Sequence, residues 1–234
     1  CNGTPTSTTS GGLQFYIEYG KVTINSNTFY LQSNRRLRDP AAWYHIVLAC
    51  DTTLSTANDR MKVWVNNERI TSWASNTPPA QNSDVLWNTN VIHRIGGIVN
   101  SSGTLGSYLS GYLAEFYNID GQTLDPSSFG EENDNGKWIP KEYTGNTASY
   151  GTNGFHFKFN GADLGADSSG KGNNWTANNL VAAASNFDVP CVSFDGTDDY
   201  LQLADSTDFD FGTSDFTIEC FARPNTPGSA QYYS

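Results

Sequence analysis

Leu13-Gln14-Phe15-Tyr16-Ile17-Glu18-Tyr19 alternates residue by residue, which places Leu13, Phe15, Ile17 and Tyr19 on one face of an extended chain. Val22 and Ile24 carry the same period past Gly20-Lys21. A period of two belongs to a strand with one buried side, because successive side chains of an extended backbone point to opposite faces. Arg60-Met61-Lys62-Val63-Trp64-Val65 repeats the alternation and runs into Asn66-Asn67, two residues that tolerate a positive φ. That pattern predicts a tight hairpin returning through Glu68-Arg69-Ile70. Trp43-Tyr44-His45-Ile46-Val47-Leu48-Ala49-Cys50 is apolar nearly throughout, as expected of a central strand covered on both sides.

Working outward, further strands are predicted at Phe29 to Gln32, Val91 to Ile95, Gly111 to Ile119, Phe155 to Phe159, Val192 to Phe194, Tyr200 to Leu203 and Phe216 to Ala222. Clusters of Gly, Asn, Asp, Ser and Pro separate them. No dozen residues show a helical apolar stripe. The best helical turn is Asp125-Pro126-Ser127-Ser128-Phe129-Gly130, with Asp as cap, Pro in the first position and Gly as stop. Many short strands with turn signals and almost no helix predict an all-β, antiparallel sandwich. Glu131 to Asn153 alternates little and reads as a linker or long loop, with Trp138-Ile139-Pro140 and Tyr143 available to pin it to a surface.

Composition excludes several functions. The 234 residues carry 13 Lys and Arg against 24 Asp and Glu, a net charge of −11. Phosphate neutralisation needs a basic field that this chain lacks, so nucleic acid is not an expected partner. The same charge argues against anionic membrane surfaces, and no apolar run is long enough for a spanning helix, so membrane insertion is not expected. Cys1, Cys50, Cys191 and Cys220 show no C-x-x-C spacing, which excludes a zinc ribbon or redox dithiol. An even count permits disulfides in an oxidising compartment, with all three full pairings open. A first residue of Cys1 and an end at Ser234, just after a strand-like segment, suggest a processed or partial chain.

Two blocks resemble the laminin-G-like, pentraxin-like family with the concanavalin A-like jelly roll. The first runs through Trp43-Tyr44-His45-Ile46-Val47, then Met61 to Asn66 with Asn67 in place of the usual Gly, then Gly111 to Asn118 leading to Leu124-Asp125-Pro126. It is similar to the C-terminal half of such a domain. The second comprises Phe155 to Phe159, Asp167 to Asn174, Ser193 to Tyr200 and Asp215 to Glu219, and is similar to an N-terminal half. The resemblance divides the chain into residues 1–130, a linker or long loop at 131–154, and residues 155–234. Half a sandwich would expose a long apolar face, at about 25 cal/mol per Å². Either the halves complete each other as one permuted jelly-roll sandwich, or neighbouring segments complete each. In the permuted arrangement Cys50 and Cys220 lie on neighbouring central strands, where the family resemblance implies a disulfide.

Asp120-Gly121-Gln122 through Trp138-Ile139-Pro140-Lys141, Tyr150 to Gly154 and Gly172-Asn173-Asn174-Trp175 resemble tail-fibre or appendage proteins of aquatic bacteriophages. That resemblance implies an extracellular, virion-surface location. Its implied partners are a host-surface glycan and further copies of the chain or other fibre subunits.

Catalysis has little support. Glycosidases of this fold set carboxylates two to four residues apart on one strand. The Glu at 18, 68, 115, 131, 132, 142 and 219 show no such spacing, and Glu131-Glu132 point two ways. No nucleophile elbow and no phosphate loop is present. His45 reads as a core histidine rather than a base. The chain is expected not to be an enzyme.

A glycan site needs an aromatic ring for the apolar face of a pyranose and amides or carboxylates for its hydroxyls. Trp73, Trp87, Tyr108, Trp138 and Trp175 sit in Asn- and Ser-rich contexts and are the carbohydrate-binding candidates, although such residues also pin loops. Asp195, Asp198 and Asp199, together with Asp167 and Asn173, offer hard oxygens for calcium, although Asp and Asn in turns also cap their own backbone. Calcium is the one cofactor these oxygens suggest, and none is required. A pentraxin-like acidic loop has no counterpart at Gly97-Ile98-Val99-Asn100, which argues against phosphocholine binding. Asn2-Gly3-Thr4, Asn100-Ser101-Ser102 and Asn174-Trp175-Thr176 fit the N-glycosylation pattern, and Arg35-Arg36-Leu37-Arg38 reads as a solvated basic turn. The leading expectation is a non-enzymatic fibre or appendage module that binds host carbohydrate. The alternative is a purely structural fibre or capsid-decoration module without a ligand.

Overall fold

The alternating segments become strands close to where their period places them. In chain order, a computed structural model gives β1 (Gln14–Glu18), β2 (Lys21–Asn25), β3 (Tyr30–Arg36), β4 (Tyr44–Cys50), β5 (Met61–Val65), β6 (Glu68–Arg69) and β7 (Trp73–Thr77). The middle adds β8 (His93–Ile95), β9 (Ile98–Val99), β10 (Leu105–Gly106) and a long β11 (Ser110–Asp120). Next come β12 (Gly130–Glu132), β13 (Trp138–Pro140), β14 (Phe155–Phe157), β15 (Thr176–Asn178) and β16 (Val181–Ala184). The last are β17 (Pro190–Asp195), β18 (Tyr200–Leu203), β19 (Phe216–Pro224) and β20 (Gln231–Tyr232). The structure describes residues 13–26, 28–85, 87, 92–99, 104–204, 213–225 and 231–232. Cys1, Val91 and the sequons at Asn2 and Asn100 lie outside them. The predicted turn forms at Pro126–Ser128, where the Asp125 side chain accepts from the Ser127 N–H.

Two antiparallel sheets make the sandwich, one ordered β20-β1-β2-β3-β7 and the other β16-β17-β11-β19-β4-β5-β6, with β14 also on β11. One core cluster joins them: Phe15, Ile17, Ile24 and Leu31 from the first sheet pack with Ile46, Leu48, Val63, Leu113 and Ile218 from the second. Residues from before position 131 and after 154 alternate in the larger sheet, since β19 lies between β11 and β4. Neither segment forms that sheet alone. The 131–154 stretch is itself folded. Its β12–β13 ribbon and the 3-10 turn Thr147–Tyr150 contribute Trp138, Tyr143 and Tyr150 to clusters on the sheet's outer face. β4 is consequently buried at every residue.

Local chemistry sets the details. Asn66 and Asn67 adopt φ of 50° and 63°, forming the predicted β5–β6 hairpin. Tyr19 departs from its expected core position. It occupies the two-residue turn between β1 and β2 with φ 51°, beside Gly20 at 78°, and is 61% exposed. A register shift lies in β11 between Ala114, opposite Phe221, and Tyr117, opposite Glu219. Glu115 takes φ 50° there, and the extra residue resets the alternation. Phe116 therefore enters the core with Leu113, while Ala114 and Tyr117 pack with the outer clusters.

The implied Cys50–Cys220 disulfide is corrected. Cys50 pairs with Phe216 and Cys220 with Ile46, so the two lie four residues apart along the ladder, about 13 Å. A bridge needs Cα atoms within about 7 Å. Cys50, Cys191 and Cys220 are all free and buried. Thiol titration in denaturant without reductant should detect at least these three of the chain's four cysteines, and dithiothreitol should leave the melting temperature unchanged. Backbone crowding gives a second test. A Cβ on Gly154 would run into the Tyr150 carbonyl oxygen and lie 2.9 Å from that of Asn118. Gly154→Ala should lower stability by about 2 kcal/mol in urea titrations, within the range for overpacking.

Candidate functional site

The outer face of the larger sheet carries chemistry that the alternation on β4 and β19 puts there. Trp43 precedes β4 and His45 lies on it, while Glu219, Phe221 and Arg223 fall on one side of β19. The His45 ring stacks on Phe221, with centroids 4.4 Å apart. Its Nδ1 accepts the Trp138 indole N–H at 2.7 Å. An indole only donates, so the imidazole proton sits on Nε2. That nitrogen lies 2.9 Å from Glu219 Oε1, off a good hydrogen-bonding line, with both side chains wholly buried. Burial pushes His45 down to about 3. Burial, with the nearby Glu115 charge adding to it, pushes Glu219 well above the usual carboxyl range. Burial therefore disfavours the charged form of both partners.

A second pair lies beside it. His156 Nε2 is 2.7 Å from Glu115 Oε2, which also accepts the Tyr117 hydroxyl at 3.2 Å. Tyr117 stacks on His156 at 3.7 Å, and Tyr143 and Tyr150 pack above it. Glu115 and Glu219 were invisible as a pair in the sequence because they approach across two strands 104 positions apart in the chain. The one available signal was a carboxylate at alternate spacing from Thr217, Phe221 and Arg223.

Next to the sealed network the face opens into a cleft of about 200 Å³. Trp43, Trp138, Phe187 and Phe221 line it, with Asn66, Asn186 and Lys137. The β12–β13 ribbon brings Trp138, and the turn between β16 and β17 brings Phe187. Ser185 shapes that turn, since its hydroxyl donates to the Val189 carbonyl at 2.6 Å and accepts from the Phe187 N–H. Asn66 Oδ1 accepts from the His45 N–H at 2.8 Å, leaving its amide N–H groups for the cleft. The buried Trp43 Nε1 carries no hydrogen bond.

The remaining predicted residues scatter. Trp87 is 3% exposed and donates to Asn118 Oδ1, and Trp175 is 3% exposed among Phe155 and Phe157. Both rings are core, although Trp175 also borders a cleft of about 570 Å³ with Asp163, Asn174 and Asn179. Trp73 packs partly against the main core, and Tyr108 leans on Tyr200, well separated in sequence from the cleft's elements. Trp138 alone of the five lines the cleft.

Asp195, Asp198 and Asp199 bring carboxylate oxygens within 4.8 Å of one another. Asp199 is the buried member, accepts the Asp195 N–H, and burial pushes its carboxyl upward. Asp167 has a different task. Its two oxygens accept from the N–H groups of His156, Ser169 and Asn173 and from the Ser169 hydroxyl. Asn173 donates to the carbonyls of Thr152 and Gly154. Those two residues therefore tie loops together, with the oxygens of Asp167 engaged by the chain itself.

No protein-family model, curated protein or solved structure matches this chain.

The Glu219 assignment makes a signed prediction. Above about pH 4.3 the unfolded chain releases this proton while the folded protein keeps it, so the carboxyl's contribution to stability falls as pH rises. His45 works oppositely, since between about pH 6.5 and 3 the unfolded chain gains a proton that the fold refuses. Glu219→Gln should then melt with less pH dependence than wild type above pH 7 and with a steeper loss below pH 6. Glu219→Ala should cost less at pH 7 than at pH 4, because the wild-type carboxyl's own contribution to stability falls over that range.

Proposed function

We propose that this chain is a non-enzymatic module that binds carbohydrate in the cleft between Trp138 and Phe187. One observation carries the reading: the half-buried rings of Trp138 and Phe187 meet two exposed amides, Asn66 and Asn186, in one surface cleft floored by Trp43 and Phe221. Ring faces suit the C–H face of a pyranose, and fixed N–H and C=O groups suit its hydroxyls. The sealed network supplies rigidity, since His45 holds the Trp138 ring from below. It does not supply hydrolysis, because Glu219 is wholly buried and beyond reach of a glycan. A virion-surface appendage contacting a host polysaccharide is the setting implied by the sequence resemblance. Sites of this size bind weakly one at a time, and repetition on an assembly would provide avidity.

A second reading, a structural module without ligand, draws on β16. That edge strand of the larger sheet, Val181-Ala182-Ala183-Ala184, is uncharged, and Val181 is 63% exposed. Its opposite edge presents Glu68 and Arg69. An uncharged edge favours strand-to-strand assembly. A glycan array probed with the intact protein separates the two. Carbohydrate binding should appear, should fall at least tenfold in Trp138→Ala, and should fall severalfold in Asn186→Ala. An array without a single binder, from protein that melts normally, sinks the carbohydrate reading in favour of assembly.

A further inference from the structure

The cleft's charge narrows the class of sugar, an inference that rests on the carbohydrate reading above. Lys137 Nζ stands 4.5 Å from the centre of the Phe187 ring and is the only ionisable residue lining the cleft. Trp43 continues the aromatic surface toward Tyr112, with centroids 6.4 Å apart. Arg223 covers this end, with its guanidinium carbon 4.1 Å from the Tyr112 centroid and 5.7 Å from that of Trp43. Each end of the strip Phe187–Trp43–Tyr112 thus carries a cation.

Neither cation has an acidic partner among the described residues. Ion pairs there join Arg35 to Glu68, Arg69 to Asp59 and Lys158 to Glu142, along with the two histidine pairs. Acidic side chains outnumber basic ones 24 to 13 in this chain, so an aromatic strip whose flanking charges are both positive runs against the overall balance. The acidic residues closest in sequence to the cleft's lining, Asp39, Glu68, Asp134, Asp188 and Glu219, are absent from that lining. Asp39 Oδ1 is engaged by the Ala41 N–H at 2.8 Å.

We infer that the cleft selects an anionic saccharide, one whose carboxylate or sulfate meets Lys137 in the cleft while Arg223, at the far end of the strip, takes a second acid group. Trp138 faces the sugar's C–H surface, and each cation reads an acid group at its own end of the strip. A charge-assisted hydrogen bond from either cation is about twice as strong as a neutral one, which gives acidic sugars their advantage over neutral isosteres.

The test uses the intact protein on an array of neutral, uronate-bearing, sialylated and sulfated glycans. Titrations of oligogalacturonate and of its neutral methyl ester follow by tryptophan fluorescence. Hits should be confined to acidic glycans. Oligogalacturonate should bind at least tenfold tighter than its methyl ester in 50 mM salt, with the gap closing by 500 mM. The double variant Lys137→Gln, Arg223→Gln should lose that preference, and Lys137→Gln alone, at an exposed position, should lose part of it without a change in melting temperature. Equal binding of acid and ester, or Trp138-dependent hits among neutral glycans that the double variant leaves intact, overturns this inference and leaves the carbohydrate reading standing. An array with no hit at all overturns both.

Discussion

An eight-stranded sheet in this protein must be kept from water on both faces, and the rest of the structure answers to that requirement. The inner face meets the second sheet in the ordinary way, through alternating Ile, Leu, Val and Phe. The outer face is covered by connections instead: the 131–154 segment and the turn between β16 and β17. Loops seldom cover sheets, because their backbone groups need partners. Here aromatic residues solve the problem, with Trp138, Tyr143, Tyr150 and Phe187 providing apolar area from short, polar stretches.

Covering that face traps ionisable groups, and the trapped groups respond by staying neutral or pairing. Glu219 is pushed upward and His45 downward, because ionising either in a dry site costs more than a neighbour at 2.9 Å returns. Glu115 reaches its partners only because β11 spends one extra residue at Glu115 in the left-handed conformation. Without that bulge, strict alternation would send the carboxylate toward the apolar core and Phe116 toward the roof. The same cover ends short of Trp43, and that shortfall makes the cleft. Its floor is core-like and its rim is the polar sequence of two turns, a combination suited to a ligand with one apolar and one hydroxylated aspect.

Much of this was legible in advance. The period of two at Leu13 to Tyr19 and at Met61 to Val65, and the Asn66-Asn67 hairpin, depend on interactions between near neighbours, which a sequence displays directly. The apolar run at Trp43 to Cys50 announced a strand with two buried faces. Trp138 was flagged both as a pin and as a sugar contact, and it lines the cleft while bonding His45. Trp87 and Trp175 were flagged on the same grounds and are core. Polar neighbours in sequence say nothing about which way a ring turns once a sheet lies beneath it.

Amino-acid order alone determined that this chain is all-β, that its strands are antiparallel and short, and that it carries a net charge of −11. Those properties follow from alternation, turn chemistry and net charge, each readable within a few residues or as a sum. Tertiary structure alone decided that β19 slots between β11 and β4, that Cys50 and Cys220 miss each other by four positions, and that Glu219 sits against His45. It also decided that Lys137 and Arg223 stand over one aromatic strip. Each depends on which distant strands share an edge and in what register. Burial of whole sheet faces fixes that choice, and no local pattern encodes it.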